Sequence, residues 1–282
     1  MSTATAAPVA TAAAASVTPP PKKRKGPRLP IFFWVFLVIT LLPIITMIVY
    51  SFNDTPTSRI TFHWHGFTTY WYQNLTQVQG LPEAFGLSVV MAVLAALISI
   101  VLGVPLAMAL ERYKFWGKSA LSTTVFADIA APSIVVGAAS LSFFLSSGVP
   151  LGFWTVLLVH VTFCLAYVVV VVRARLSGSG MVLEQAAADL GATPFVAFTK
   201  VTLPLLVPGM IAAGALALAM SIDDYVITSF VAGPAVTFPL FVYGAAKVGL
   251  PPQVLCFGTI IFVVGLLIML LNSWITRRGQ RA

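Results

Sequence analysis

The chain has 282 residues, of which 59% are apolar and 9% charged, against roughly 25% charged in soluble domains. So few polar side chains cannot cover a water-facing surface, which excludes a soluble globular protein and calls for lipid. The net charge of +8 is compatible with a nucleic-acid partner until the positions of the charges are considered.

Residues 1–29 are rich in Ala, Thr and Pro and end in Lys22, Lys23, Arg24, Lys25 and Arg28. This composition cannot bury enough apolar surface to order itself and reads as a disordered basic cytoplasmic tail. The basic run resembles a nuclear address, but next to a long apolar segment it reads as an orientation signal. That apolar segment is too long for a signal-peptide core, and no small-x-small cleavage pattern follows it.

A membrane span needs about 20 apolar residues, and the rest of the body, 30–276, offers six: about 31–52, 84–110, 120–147, 150–172, 203–231 and 254–276. Pro43, Gly103, Pro105 and Pro132 fall inside them and are tolerated where neighbouring helices re-satisfy the backbone. The fifth segment carries Gly209, Ala212, Ala213, Gly214, Ala215, Ala217 and Ala219, small residues that let another helix approach closely; an Ala-rich face toward lipid is the alternative. Cys164 and Cys256 lie in apolar blocks as small hydrophobes, without metal-ligand spacing. The expected fold is an all-α polytopic membrane protein of six transmembrane helices.

The basic residues orient it. The tail carries five, the second connection Arg112, Lys114 and Lys118, the fourth Arg173, Arg175 and Lys200, and the C-terminal 277–282 Arg277, Arg278 and Arg281. Fourteen of the sixteen thus share one side, and only Arg59 and Lys247 fall on the other. By the positive-inside rule that side is cytoplasmic and holds both termini. The basic excess is an orientation signal, with no nucleic-acid partner implied. The outer connection, about 53–83, contains His63, Trp64, His65, Tyr70, Trp71 and Tyr72. Aromatics of this kind suit the headgroup level, and two histidines without a third ligand are a weak metal signal.

The connection 173–204 is long for so compact a chain. Residues 173–180 read as a flexible linker, and 181–190 as a short helix carrying Glu184, Gln185, Ala186 and Ala187, closed by Gly191 as its C-cap. Thr193 then caps a second helix beginning at Pro194. Phe195, Phe198 and Val201 recur every third residue and predict one apolar face. Two short helices at an angle, showing small and aromatic residues, are shaped either to be received by another protein or to lie on lipid.

Gln185-Ala186-Ala187, three residues, Gly191, nine residues, then Val201-Thr202-Leu203-Pro204 resembles the EAA signature of type I ABC importer permeases, with Gln185 at the Glu position and Val201 at the Ile position. The segment from Ser221 to Pro234 and Phe238 to Tyr243 is similar to the polyamine permeases of spermidine/putrescine importers, most of all the second, C-type, permeases. The resemblance spans about 30–276. It implies the type I permease fold in the bacterial inner membrane, with residues 182–201 as a cytoplasmic coupling loop on the ATPases. It also implies a second permease subunit, two ATPase subunits that bind ATP and Mg, and a periplasmic substrate-binding protein. The chain has no Gly-x-x-x-x-Gly-Lys-[Ser/Thr] motif, so ATP chemistry is expected in trans; the chain itself is expected to bind no cofactor and to catalyse nothing. Glu184 and Gln185 both remain candidates for the polar ATPase contact.

Ionisable residues inside spans default to function. Asp128, Asp223, Asp224 and Tyr225 are candidates for the substrate path, since a polycation is stabilised by carboxylates and aromatic faces. Asp223 could instead cap a helix break, and Asp224 could pair with Lys247 or with the binding protein. His160 reads as an interhelical hydrogen-bonder. Another cargo, such as iron or sulfate, remains an alternative, and so does a secondary transporter, although no pair of interrupted spans in inverted repeat is evident.

Overall fold

The computed structural model describes residues 28–179 and 182–279; the basic run at 22–25 and the last three residues lie outside them. The chain divides into two units, one ending at Ile45 and the other starting at Thr46. Regular structure among the described residues is helical apart from one isolated bridge, Asn53 to Phe67.

Helix α1 (Arg28–Tyr50) is apolar along its length and contains Pro43. The Thr40 hydroxyl donates back to the Phe36 carbonyl at 2.9 Å, so it needs no water in a lipid setting. The connection after α1 is organised by Asn53, which is fully buried. Its Nδ2 donates to the His63 carbonyl and its Oδ1 accepts from the His65 N–H, both at 2.8 Å, while its own carbonyl accepts from Trp71 Nε1 at 2.9 Å. Trp71 lies on the short α2 (Tyr70–Gln73). Both histidines thus serve through their backbones, and among the described residues no three His, Cys, Asp or Glu side chains converge as a metal site.

Helix α3 (Leu81–Arg112) holds the centre, with α6 (Phe153–Ser179) and α9 (Leu203–Ile222) packed on it and on each other. Lipid removes most of the hydrophobic drive for such packing, so close approach of small residues must supply it. Ala92, Ala95 and Ala107 of α3 and Ala213 and Ala217 of α9 are fully buried. A Cβ on Gly103 would stand 2.7 Å from Val168 Cγ1, and one on Gly214 2.7 Å from Ile100 Cδ1. Of the small residues of the fifth span, Ala213 and Ala217 are buried and Gly214 is packed against Ile100, whereas Ala219 on the same helix is exposed.

The third expected span is not one helix. It is α4 (Lys118–Ala130) and α5 (Ser133–Ser146), bent by 112°. Ala131 and Pro132 between them are extended, with ψ of 133° and 130°, because the proline ring disfavours helical geometry in the residue before it. Pro43, Pro105 and Pro208 by contrast lie inside intact helices. Among the described residues five helices are thus long and apolar enough to cross a membrane, and the bent pair makes a sixth if it crosses as one span. The fifth span is also shorter than expected. It stops at Ile222, and α10 (Val226–Val231) follows as a separate helix packed on α5 and α6. Residues 173–179, expected as linker, continue α6. Helices α7 (Val182–Asp189), α8 (Pro194–Ala197), α11 (Phe238–Ala246) and α12 (Gln253–Gly279) complete the chain.

Candidate functional site

Two sites emerge, one at each end of the helical body. At the first, α7 ends as the Gly191 backbone enters the left-handed region at φ +84°. The N–H groups of Leu190, Gly191 and Ala192 close on the carbonyls of Ala186, Ala188 and Ala187 at 2.9–3.2 Å, a glycine cap that satisfies the last carbonyls of the helix. Thr193 Oγ1 then accepts the Val196 N–H at 3.4 Å, capping α8, which begins at Pro194.

Leu190 is 91% exposed and Phe195 74% exposed, with Gln185 and Ala186 also at the surface. The single apolar face expected for Phe195, Phe198 and Val201 is not kept. A π-helical turn over Phe198–Thr202 follows α8, and its wider pitch changes the phase of the three-residue spacing. Phe198 and Val201 are half-buried, and Val201 lies with Leu176, Leu183 and Leu205 around a small cleft. Pro204 is exposed in the first turn of α9.

Glu184 and Gln185 part company here. Glu184 Oε1 lies 2.7 Å from Arg112 Nη1 at the end of α3, with both side chains mostly covered. One residue earlier, Glu111 Oε2 pairs with Arg173 Nε of α6 at 3.3 Å, and Arg173 Nη1 donates to Ser122 Oγ of α4 at 3.2 Å. Two adjacent residues of α3 thus tie α4, α6 and α7 together. Arg112 entered the sequence reading only as an orientation charge; its complement to Glu184 is set by tertiary placement and leaves no local signal.

The second site lies where α9 breaks. Asp223 is its C-cap and is exposed, its N–H bonded to the Ala219 carbonyl at 3.3 Å. Asp223 and Tyr225 line a cavity of about 440 Å³ with Ile222, Phe238, Pro239, Val242, Tyr243, Ala246 and Ile261. The Tyr225 and Tyr243 rings lie tilted by 33° against each other with centroids 4.5 Å apart, so one carboxylate and two aromatic rings border one otherwise apolar cavity.

Asp224 is spent elsewhere. Its Oδ2 accepts the Thr228 N–H and hydroxyl, each at 2.8 Å, and lies 3.5 Å from His160 Nε2. Because the single Thr228 hydroxyl hydrogen goes to the carboxylate, His160 Nε2 must carry a hydrogen and donate to Thr228 Oγ1, 2.9 Å away. His160 Nδ1 meets Ser221 Oγ at 2.7 Å. This buried network caps α10 and joins α6 to the α9 break, as expected for His160 but not for Asp224. The expected partner Lys247 lies instead over the Tyr243 ring, 4.8 Å from its centroid. Asp128, half-buried on α4 near the bend, is not among the residues lining the cavity. Tyr243 was legible only as part of a motif.

Residues 99–281 match the family described as binding-protein-dependent transport system inner membrane component. The chain is 40% identical over 238 residues, 84% of its length and 89% of the relative's, to the spermidine/putrescine transport system permease protein PotC of Escherichia coli strain K12. It is 36% identical over 178 residues, 60% of its length and 62% of the relative's, to the putrescine transport system permease protein PotI of the same strain. A crystal structure of a bacterial ABC transporter that imports the acidic polysaccharide alginate superposes with a TM-score of 0.63 at 16% identity, covering 89% of this chain and 94% of that one; at that identity it speaks for the fold alone.

Proposed function

We infer that this chain, which belongs to the family of binding-protein-dependent transport system inner membrane components, is the transmembrane permease of an ATP-driven polyamine importer. The observation that carries the cargo is the kinship with spermidine/putrescine and putrescine permeases. The cavity holding Asp223, Tyr225 and Tyr243 suits the same cargo. A linear polyammonium is stabilised there by a carboxylate and by cation–π attraction of about 0.5–2 kcal/mol per ring. Substrate-path contact is proposed for Asp223 and Tyr225. Asp224 acts as the strut that fixes the break, and Asp128 has no assigned contact.

ATP and Mg belong to two partner ATPases, which receive the α7–α8 loop through Leu190, Phe195 and the exposed Gln185 and Ala186 at the surface, with Gly191 setting the bend. A second permease completes the path, and a periplasmic binding protein loads it from the outer side. Both termini are cytoplasmic, in keeping with the distribution of basic residues. ATPase closure moves the loop, and Glu184 passes the motion to α3 through Arg112, switching the access of the path.

The test is uptake of labelled spermidine and putrescine by cells lacking only this chain. Uptake restored by the wild type, but not by a Gly191→Val variant that reaches the membrane, is the expected result. Unchanged uptake in a strain with no second polyamine importer would remove polyamines as cargo.

A further inference from the structure

We propose that Lys247 is a tethered stand-in for a cargo ammonium, held on Tyr243 until an incoming polyamine displaces it from the ring. This role rests on the polyamine reading above. A lysine side chain is a four-carbon stem ending in a primary ammonium, the same chemistry as an aminobutyl arm of a polyamine. Lys247 follows α11 directly, four residues after Tyr243, and its Nζ lies 4.8 Å from that ring's centroid, inside the range of cation–π attraction. The other ring available to the cargo, Tyr225, lies tilted against Tyr243, and both rings line one cavity with Asp223.

The chain's charge pattern makes this lysine conspicuous, because only Arg59 shares its side of the membrane. Arg59 comes to the same turn. Its Cδ lies 2.8 Å from where a Cβ on Gly249 would stand, and the Ile60 N–H donates to the Leu250 carbonyl at 2.9 Å. No carboxylate pairs with Lys247 among the described ion pairs. Lys247 does not itself line the cavity, but its neighbour Ala246 and its ring Tyr243 do; on this proposal cargo and Lys247 compete for that one ring, so that a monovalent amine gains little by entering. A polyamine recovers the exchange by placing a second ammonium near Asp223.

The experiment is equilibrium binding of radiolabelled spermidine to the complete importer in nanodiscs, without binding protein, as a double-mutant cycle. Lys247→Met is expected to tighten binding about two- to fivefold when Tyr243 is present. In a Tyr243→Leu background the same change should have little effect. Arg59→Gln, which alters charge without freeing the ring, should act equally in both backgrounds. Tightening by Lys247→Met that is equal in both backgrounds, or absent in both, overturns the stand-in role. A wild-type complex that neither binds nor imports spermidine or putrescine overturns the cargo reading and this role with it.

Discussion

Breaking the Arg112–Glu184 pair should loosen the link between ATP hydrolysis and transport without unfolding the body. The two atoms are 2.7 Å apart, and the side chains are 16% and 24% exposed. That places the pair between exposed ion pairs, at about 0.2–1 kcal/mol, and buried ones, where removing one partner costs about 3–5 kcal/mol. A loss of about 1–3 kcal/mol in the docking of α7 multiplies its undocked population by about 5–150-fold. The bundle of α3, α6 and α9 does not depend on it. In proteoliposomes holding the whole importer, Glu184→Arg or Arg112→Glu should raise the ATP hydrolysed per polyamine imported several-fold. The exchange of both should bring the ratio back toward wild type. Singles that leave the ratio untouched, or a double swap as defective as either single, would refute the claim that this pair carries the motion.

At Gly191, φ is +84° and the space around a Cβ is open, so the cost of substitution is conformational. Gly191→Ala should cost about 1–2 kcal/mol and lower uptake modestly, while the β-branched Gly191→Val should abolish it; equal uptake by all three proteins counts against the bend. Asp223→Asn should cut spermidine transport at least tenfold at normal membrane abundance, whereas Asp224→Asn should chiefly lower the melting temperature by weakening the cap on α10 and the contact with His160. The reverse pattern would exchange their roles. Gly103→Ala should destabilise the purified protein by about 1–3 kcal/mol, measured by thermal unfolding in detergent, because its Cβ would stand 2.7 Å from Val168 Cγ1.

Much of this was legible in the sequence because its causes are local. Long apolar segments mark spans, and Thr193-Pro194 and Gly191 mark caps through the backbone geometry they favour or permit. The small residues of α9 announced one closely packed face for a similar reason, and Ala213, Gly214 and Ala217 provide it, with Gly214 against Ile100. What escaped depends on contacts between distant residues. Pro132 looked like Pro43 and Pro105, yet only Pro132 breaks its span. Asp223 and Asp224 are neighbours of identical chemistry, and only the arrival of Thr228 and His160 from other turns separates a cavity wall from a strut. The three-residue apolar spacing in the loop assumed a regular helix, and the π turn at Phe198–Thr202 removed the assumption.

The bend at Pro132 also governs parity. If the α4–α5 pair dips in and returns on its own side, every later segment changes side. The sixteen basic residues then divide nine to seven instead of fourteen to two. Such an even division gives an inserting chain almost no orientation signal. The charges placed after the bend, from Arg173 to Arg281, work as topological instructions only for a pair that goes through. A kink that looks local is thus matched by a charge pattern extending more than a hundred residues beyond it.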